Sequence, residues 1–302
     1  MAQLLSWILQ HSSPPHQPLH AILGFILVLL PVIYYLIKRI RNDYQAFLAL
    51  GPGGTPSTPR GYLRICVLRL FALRNPFEPP SLPPFLQPQH GILKDLPKRS
   101  GRRPRVAGIA PQRQMTQRGG PAMYEALSAA IRNLAQSHPD RLFLATSCFE
   151  KHSTGIFCHP AFRHRPTCNG EVCHAHPSDG SMHLTLHPAD VKLVIERGWG
   201  ERHPLARESW WWRAKIVPPG FVMVYAPRDE EELRCVMEIV RAAAWWVSGT
   251  ELRRDVEQNG SNLQELKDVV QDAEVRVCEG CDFVESPLTA TPAPAAAPSP
   301  AS

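Results

Sequence analysis

The segment Glu171–His187, EVCHAHPSDGSMHLTLH, places four histidines in seventeen residues and leaves few ways to fold them. Pro177-Ser178-Asp179-Gly180 carries turn chemistry, with Pro and Asp early and Gly last. Strand-like residues flank it, so the segment is expected to close as a β-hairpin. Closure over that turn sets His176 opposite Ser181 and His174 opposite His183. Side chains alternate faces along a strand, so His174, His176 and His183 then share one face. Facing cross-strand residues have Cβ atoms roughly 5 Å apart, near enough for imidazoles to share a metal, a proton or a substrate.

Three uses of such a face stay open at this level. HxH with a third histidine across a hairpin can supply three nitrogens to Zn, Fe or Cu and leave a position free, as metallo-oxygenases and hydrolases require. His203 or Glu201 could complete that set. The same imidazoles could act without metal as general bases, since they titrate near neutrality. They could also be inert, on a solvated hairpin face or hydrogen-bonded within a polar core layer. His187 is expected at a turn before Pro188, and His152 and His159 lack paired spacing.

Leu19–Ile37, LHAILGFILVLLPVIYYLI, has no formally charged side chain and reaches the ~20 residues that a hydrocarbon core requires. Pro31 is tolerable in such a helix, and Tyr34 and Tyr35 sit where an aromatic belt would lie. Lys38, Arg39 and Arg41 follow at once, whereas residues 1–18 hold no Lys, Arg, Asp or Glu. The positive-inside rule predicts a single-pass membrane anchor, with the N-terminus lumenal or exterior and the C-terminal domain cytosolic. A cleaved signal peptide would want positive charge before the apolar run and an A-x-A-like site after it, and both are missing. From Lys38 to Arg118 there are 15 Lys/Arg against 3 Asp/Glu, while the whole chain totals only +6. These basic residues are scattered among prolines with no nucleic-acid motif, so membrane lipid is the expected partner and nucleic acid is not.

A cytosolic domain would keep its cysteines reduced, and the lone Cys278-Glu-Gly-Cys281 lacks the second pair that a structural zinc site needs. The expected order is a short segment 1–18, a transmembrane helix 19–37, a basic, Pro-rich juxtamembrane region 38–118, an α+β domain 119–250 and a tail 251–302. Within the second part, 41–50 continues as helix to the Gly51-Pro52-Gly53-Gly54 break. Gly61–Leu73 is too short to span and carries Arg64 and Arg69, as expected of a helix lying in the interface or packed on the main domain. The folded domain is expected to begin near Pro121 with an amphipathic helix. Strands follow at 141–146 and 153–158, then the hairpin, a short helix at 189–197, a buried strand at 221–225 and a helix at 229–247. That pattern reads as α+β, one compact domain with an antiparallel sheet and flanking helices. A further helix is expected at 263–274, and the Pro/Ala-rich end should be disordered.

The stretches RNDYQAFLALGP and RGYLRICVLRLF, SCFEKHSTGIF, the hairpin, GWGERHPLA and VYAPRDEEE together resemble the fungal luciferases and their luciferase-like relatives. The resemblance covers roughly residues 40–250 in the same order. It implies a membrane-anchored enzyme that oxidises a hydroxylated styryl-α-pyrone, 3-hydroxyhispidin, with O2 as co-substrate and no organic cofactor. The product implied is a strained peroxide that loses CO2 and emits light, although many luciferase-like relatives occur in fungi not known to glow. Trp210-Trp211-Trp212 matches no motif of the family, and a place at the membrane interface is preferred for it.

Applied to these residues, the resemblance implies a small aromatic or polyketide-like substrate that loses an enolic proton and then meets O2. His174, His176 and His183 are the expected reactive centre, with a divalent metal on them left open. Arg202, His203 and Arg228, from the GWGERHPLA and VYAPRDEEE blocks, are expected to shape an anion site. Glu201 or Asp179 could orient a histidine through its second nitrogen. Trp199 could stack on an aromatic substrate or be buried in the core. A metal-dependent hydrolase on the same histidines and a non-catalytic, membrane-tethered binding protein are the rival expectations.

Overall fold

The computed structural model describes residues 17–208 and 216–252. The expectations for residues 1–16, Trp210–Trp212, the 263–274 helix, Cys278, Cys281 and the tail fall outside these residues.

Helix α1 (Gln17–Leu48) contains Pro31 and leaves its apolar side chains from Ile22 to Ile40 exposed. The span Ile22–Leu48 is long and apolar enough to cross a membrane. Its end turns inward, burying Phe47 against Tyr62 of helix α2 (Pro59–Arg69). The α2 start follows from local chemistry: Thr58 caps the Gly61 N–H at 3.1 Å, and Pro59 needs no donor there. Gly61 is required by close approach, because a Cβ would lie 2.0 Å from the Pro56 carbonyl oxygen. Ile65 is buried, whereas Leu63, Val67 and Leu70 point outward.

A two-stranded hairpin, β1 (Val106–Gly108) and β2 (Gln112–Gln114), precedes helix α3 (Gly120–Ser137). The main sheet is antiparallel and six-stranded. Its strands are β3 (Leu142–Thr146), β4 (Thr154–Cys158), β5 (Glu171–Ala175), β6 (Met182–Thr185), β7 (Gly200–Arg202) and β8 (Phe221–Val224), ordered 3-4-5-6-8-7. Helix α4 (Pro188–Glu196) packs on β7. Helices α3 and α5 (Glu230–Ser248) pack on β3–β6. Asp229 caps α5 through the Glu232 N–H at 2.8 Å, and Gly249 ends it in the left-handed conformation, φ 71°. The fold class is therefore α+β, with the helices and strands read from the sequence in place and β1, β2 and β7 added to them.

The hairpin closes in the register that its turn chemistry dictates. His174 pairs with His183, and the His176 N–H donates to Ser181 O at 2.7 Å. Gly180 takes φ 74°, which a side chain would resist. Continuing across the sheet, His183 faces Met223, which faces Glu201. The histidine face therefore also carries Phe221, Met223, Tyr225 and Glu201. The opposite face is Cys173, Ala175, Met182, Leu184, Val222 and Val224, all buried as packing under helices requires.

The beginning of the folded domain needs correction. Residues of 38–118, read as a basic, Pro-rich juxtamembrane region, also cover the histidine face. Gln112, Arg113 and Gln114 are buried, and Ile109 joins Leu205, Ala206, Val217 and Phe221 in one apolar cluster. Two of the basic residues are internal: Arg99 pairs with Glu232 at 3.2 Å, and Arg113 with Glu150 at 2.5 Å. Neither guanidinium is available to lipid. The covering residues Gln112–Gln114 are strand β2, which among the described strands pairs only with β1 and lies against the sheet's histidine face through its side chains.

Candidate functional site

His174, His176 and His183 converge in the interior, each at most 5% exposed. Ring centroids lie 5.3 Å apart for His174–His176 and His174–His183, and 4.7 Å for His176–His183. One ring nitrogen from each histidine lies within 4.8 Å of the others. A solvated hairpin face is excluded by this burial. His203 joins at the edge, 5.4 Å from His183, and Phe221 stacks on His183 at 5.1 Å. Phe149 lies 4.8 Å from Phe221 and 6.2 Å from His174, so the cluster has aromatic neighbours.

Each of the three rings is held from outside by its other nitrogen. Glu171 Oε1 accepts from His174 Nδ1 at 2.6 Å, and the same carboxylate takes the Ser147 hydroxyl at 2.6 Å and the Cys148 N–H at 2.8 Å. Ser181 Oγ lies 2.9 Å from His176 Nδ1 and donates to Asp179 Oδ1 at 2.5 Å. Asp179 also accepts the Ser181 and Gln114 N–H groups at 2.8 and 3.1 Å. Gln112 Oε1 lies 2.9 Å from His183 Nε2, while its amide nitrogen donates to Glu201 Oε1 at 3.4 Å. Glu201 in turn accepts the Tyr225 hydroxyl at 2.9 Å.

Burial disfavours charge on the rings. It pulls His183 well below the ordinary histidine range, with His176, His174 and His203 adding to the effect. His176 is also lowered, chiefly by burial. Burial pushes His203 down to about 4. Burial opposes ionisation of Asp179, but the His176 ring 3.7 Å away and hydrogen bonds from Ser181 outweigh it and hold the carboxyl below its usual range. Burial raises Glu201, partly offset by the Tyr225 hydroxyl.

Asp179 and Glu201 thus stand where an orienting carboxylate is needed, each one group removed from an imidazole. The two arginines do not reach the cluster. Arg202 pairs across from Val222, on the other face of β7, and its guanidinium binds Glu78 O, Ala206 O and Glu208. Strand alternation makes this unavoidable once Glu201 faces the histidines. Arg228 is half-buried at the α5 N-terminus, where it binds Glu232 and Ser100. Trp199 is 2% exposed and donates its indole N–H to Pro97 O at 2.6 Å, a core placement. His203 is saturated: Nε2 lies 2.9 Å from Ile109 O, and Nδ1 accepts the Leu205 N–H at 3.1 Å. His187 caps α4 by accepting the Ala189 N–H at 3.1 Å, while Nε2 reaches Pro88 O.

Sequence reasoning missed Glu171, Ser181 and Gln112. In a regular strand Glu171 would point away from His174. The β4–β5 ladder shifts register instead, pairing Ile156 with Cys173 and Phe157 with Glu171, so Val172 is an extra residue. This bulge turns Glu171 onto the histidine face. Ser181 was legible as the partner of His176 in the hairpin. Gln112 sits 71 residues from His183, and no local pattern pointed to it.

Comparison with known proteins gives the family. The family described as "Luciferase domain" matches residues 169–243, which include the whole hairpin. A luciferase of Neonothopanus nambi is 35% identical over 232 residues, 72% of this chain and 85% of that protein. Luciferases of Armillaria gallica and Armillaria mellea are each 34% identical over 223 residues, 69% of this chain and 82% of theirs. No solved structure matches the chain. Similarity of this extent, over most of both chains and through the buried histidine hairpin, establishes that the chain belongs to the fungal luciferase family.

Proposed function

We propose that the protein is a membrane-anchored oxygenase that adds O2 to an enolic phenolic or polyketide-derived substrate, such as an α-pyrone. The carrying observation is the buried cluster of three imidazoles, each gripped from outside and each turning one nitrogen inward beside Phe149 and Phe221. An enol must lose its O–H proton before it can pass an electron to triplet O2. Loss of that proton to a base of the site or to water leaves an enolate. A carbon–oxygen bond then forms to O2, which is reduced to the peroxide level at the substrate's expense. A dry, polar centre next to apolar rings suits a flat, apolar enol. Light emission is a separate property of the product peroxide and is not part of the proposal.

The helix Ile22–Leu48 is the proposed anchor, and the outward Leu63, Val67 and Leu70 of α2 suit a helix resting on the same lipid surface. Lys38, Arg39 and Arg41 argue that the domain is cytosolic. Carbonate extraction and protease protection test both points; release into the soluble fraction would refute the anchor.

The central test is oxygen uptake by the full chain in detergent with 3-hydroxyhispidin as substrate. Stoichiometric O2 consumption is expected, and His183→Ala should abolish it. A folded wild-type protein that consumes no O2 with this or related enolic pyrones would refute the oxygenase reading and favour a tethered binding role.

A further inference from the structure

We infer that His174, His176 and His183 form a binding site for one divalent first-row transition-metal ion. The argument is a count of protons. Ser147 Oγ accepts the Phe149 and Glu150 N–H groups, so its hydroxyl is the donor to Glu171. Glu171 therefore acts as an acceptor throughout, and His174 carries its proton on Nδ1. The Ser181 hydroxyl is spent on Asp179, so its lone pair accepts from a proton on His176 Nδ1. The Gln112 amide N–H goes to Glu201, leaving its oxygen to accept a proton on His183 Nε2.

With the outer nitrogens protonated, the inner ones are bare. His176 Nε2 and His183 Nδ1 then face each other at 3.0 Å with two lone pairs and no hydrogen between them. His174 supplies the third lone pair. Such an arrangement repels itself unless a cation lies within it. Ligating histidines elsewhere are oriented by the same kind of outer acceptor, a carboxylate or carbonyl on the second nitrogen. Metal–nitrogen bonds of about 2.0–2.1 Å would need the closest pair to open by a few tenths of an ångström and the His174 nitrogen, within 4.8 Å of the other two, to draw in.

The donor set narrows the ion. Three imidazoles and no carboxylate suit Zn, Fe, Co, Ni or Cu rather than Mg or Ca. His203 is not a fourth ligand, since both its nitrogens are engaged. The remaining coordination positions are left for water, O2 or a substrate oxygen. A role for the ion rests on the oxygenase reading: the enolate and peroxide need a positive partner, and Arg202 and Arg228 are engaged elsewhere. The ion's presence does not rest on that reading.

The test is elemental analysis of the full chain purified in detergent without chelator, followed by Zn²⁺ titration and the visible spectrum of Co²⁺-loaded protein. About one equivalent of metal per chain, with Co²⁺ bands typical of a low-coordinate nitrogen site, is expected. His183→Ala should lose the ion. Glu171→Gln, which keeps an acceptor for His174 and is less disruptive, should retain the fold by circular dichroism and bind about 10–100-fold more weakly. Protein that holds no metal as purified and takes up neither Zn²⁺ nor Co²⁺ would overturn the inference. So would His183→Ala holding the ion as tightly as wild type. Metal-free protein at full oxygen-uptake rate overturns the ion's role in the reaction and spares the oxygenase reading. Metal-loaded protein without oxygen uptake does the reverse.

Discussion

Gln112→Leu separates the proton arrangement of the centre from its packing. The side chain is 2% exposed and hydrogen-bonds His183 at 2.9 Å and Glu201 at 3.4 Å. Leucine is close in size, so the apolar contacts survive. A buried donor stripped of its acceptor costs about 1–3 kcal/mol. His183 has an escape, because its proton can move to Nδ1 and donate to His176 Nε2 across the existing 3.0 Å. The stability loss should therefore fall near the low end, about 1 kcal/mol by urea denaturation. The functional loss should be larger. The new hydrogen bond consumes both facing lone pairs, so metal affinity and oxygen uptake should each drop by at least the 10–100-fold typical of a lost outer partner. Nitrogen-detected imidazole spectra should show His183 switching tautomer. A variant destabilised by 1–3 kcal/mol with unchanged tautomer, metal affinity and turnover would refute the assignment of protons argued above.

Arg113 and Glu150 form a pair only 4% and 6% exposed, so Arg113→Ala should cost about 3–5 kcal/mol in urea denaturation; a cost below 1 kcal/mol would show the pair to be idle. Arg228→Lys should leave oxygen uptake within about twofold of wild type, because Arg228 holds Ser100 and Glu232 rather than the cluster; a hundredfold loss would restore it to the site. Burial holds His203 neutral down to about 4, whereas the unfolded chain protonates near 6.5, so stability is full above pH 6.5 and falls as pH drops toward 4, by roughly 3 kcal/mol from this group. Asp190, raised to about 6 by burial, works in the other sense: its contribution is full below 3.8 and lost as pH rises through 6. Asp190→Asn should therefore steepen the acid loss, and a stability that climbs between pH 6.5 and 4 in that variant would contradict the signs.

Much of the centre was legible because its geometry is local. The Pro177–Gly180 turn and the period-two alternation set His174 against His183 before any tertiary contact was known. The same logic located Asp229 at the start of α5 and an apolar span before the basic residues. Residues beside the hairpin fared less well. The bulge at Val172 depends on a partner strand, and so the turning of Glu171 toward His174 was invisible. Arg202 and Glu201 are neighbours in one motif, yet alternation along β7 sends one to the helix side and the other to the histidines.

By itself, then, the sequence determined which residues could meet: a three-histidine face, its turn, its family and one membrane-length helix. Only the tertiary structure decided that the face is buried, which groups hold each ring from outside and which arginines are engaged elsewhere. The reason is physical. Turn and strand preferences act over a few residues, whereas the tautomer of a buried imidazole is set by whatever acceptor the rest of the chain brings to it. For His183 that acceptor is Gln112, delivered by a segment whose composition marked it as a basic, Pro-rich juxtamembrane region.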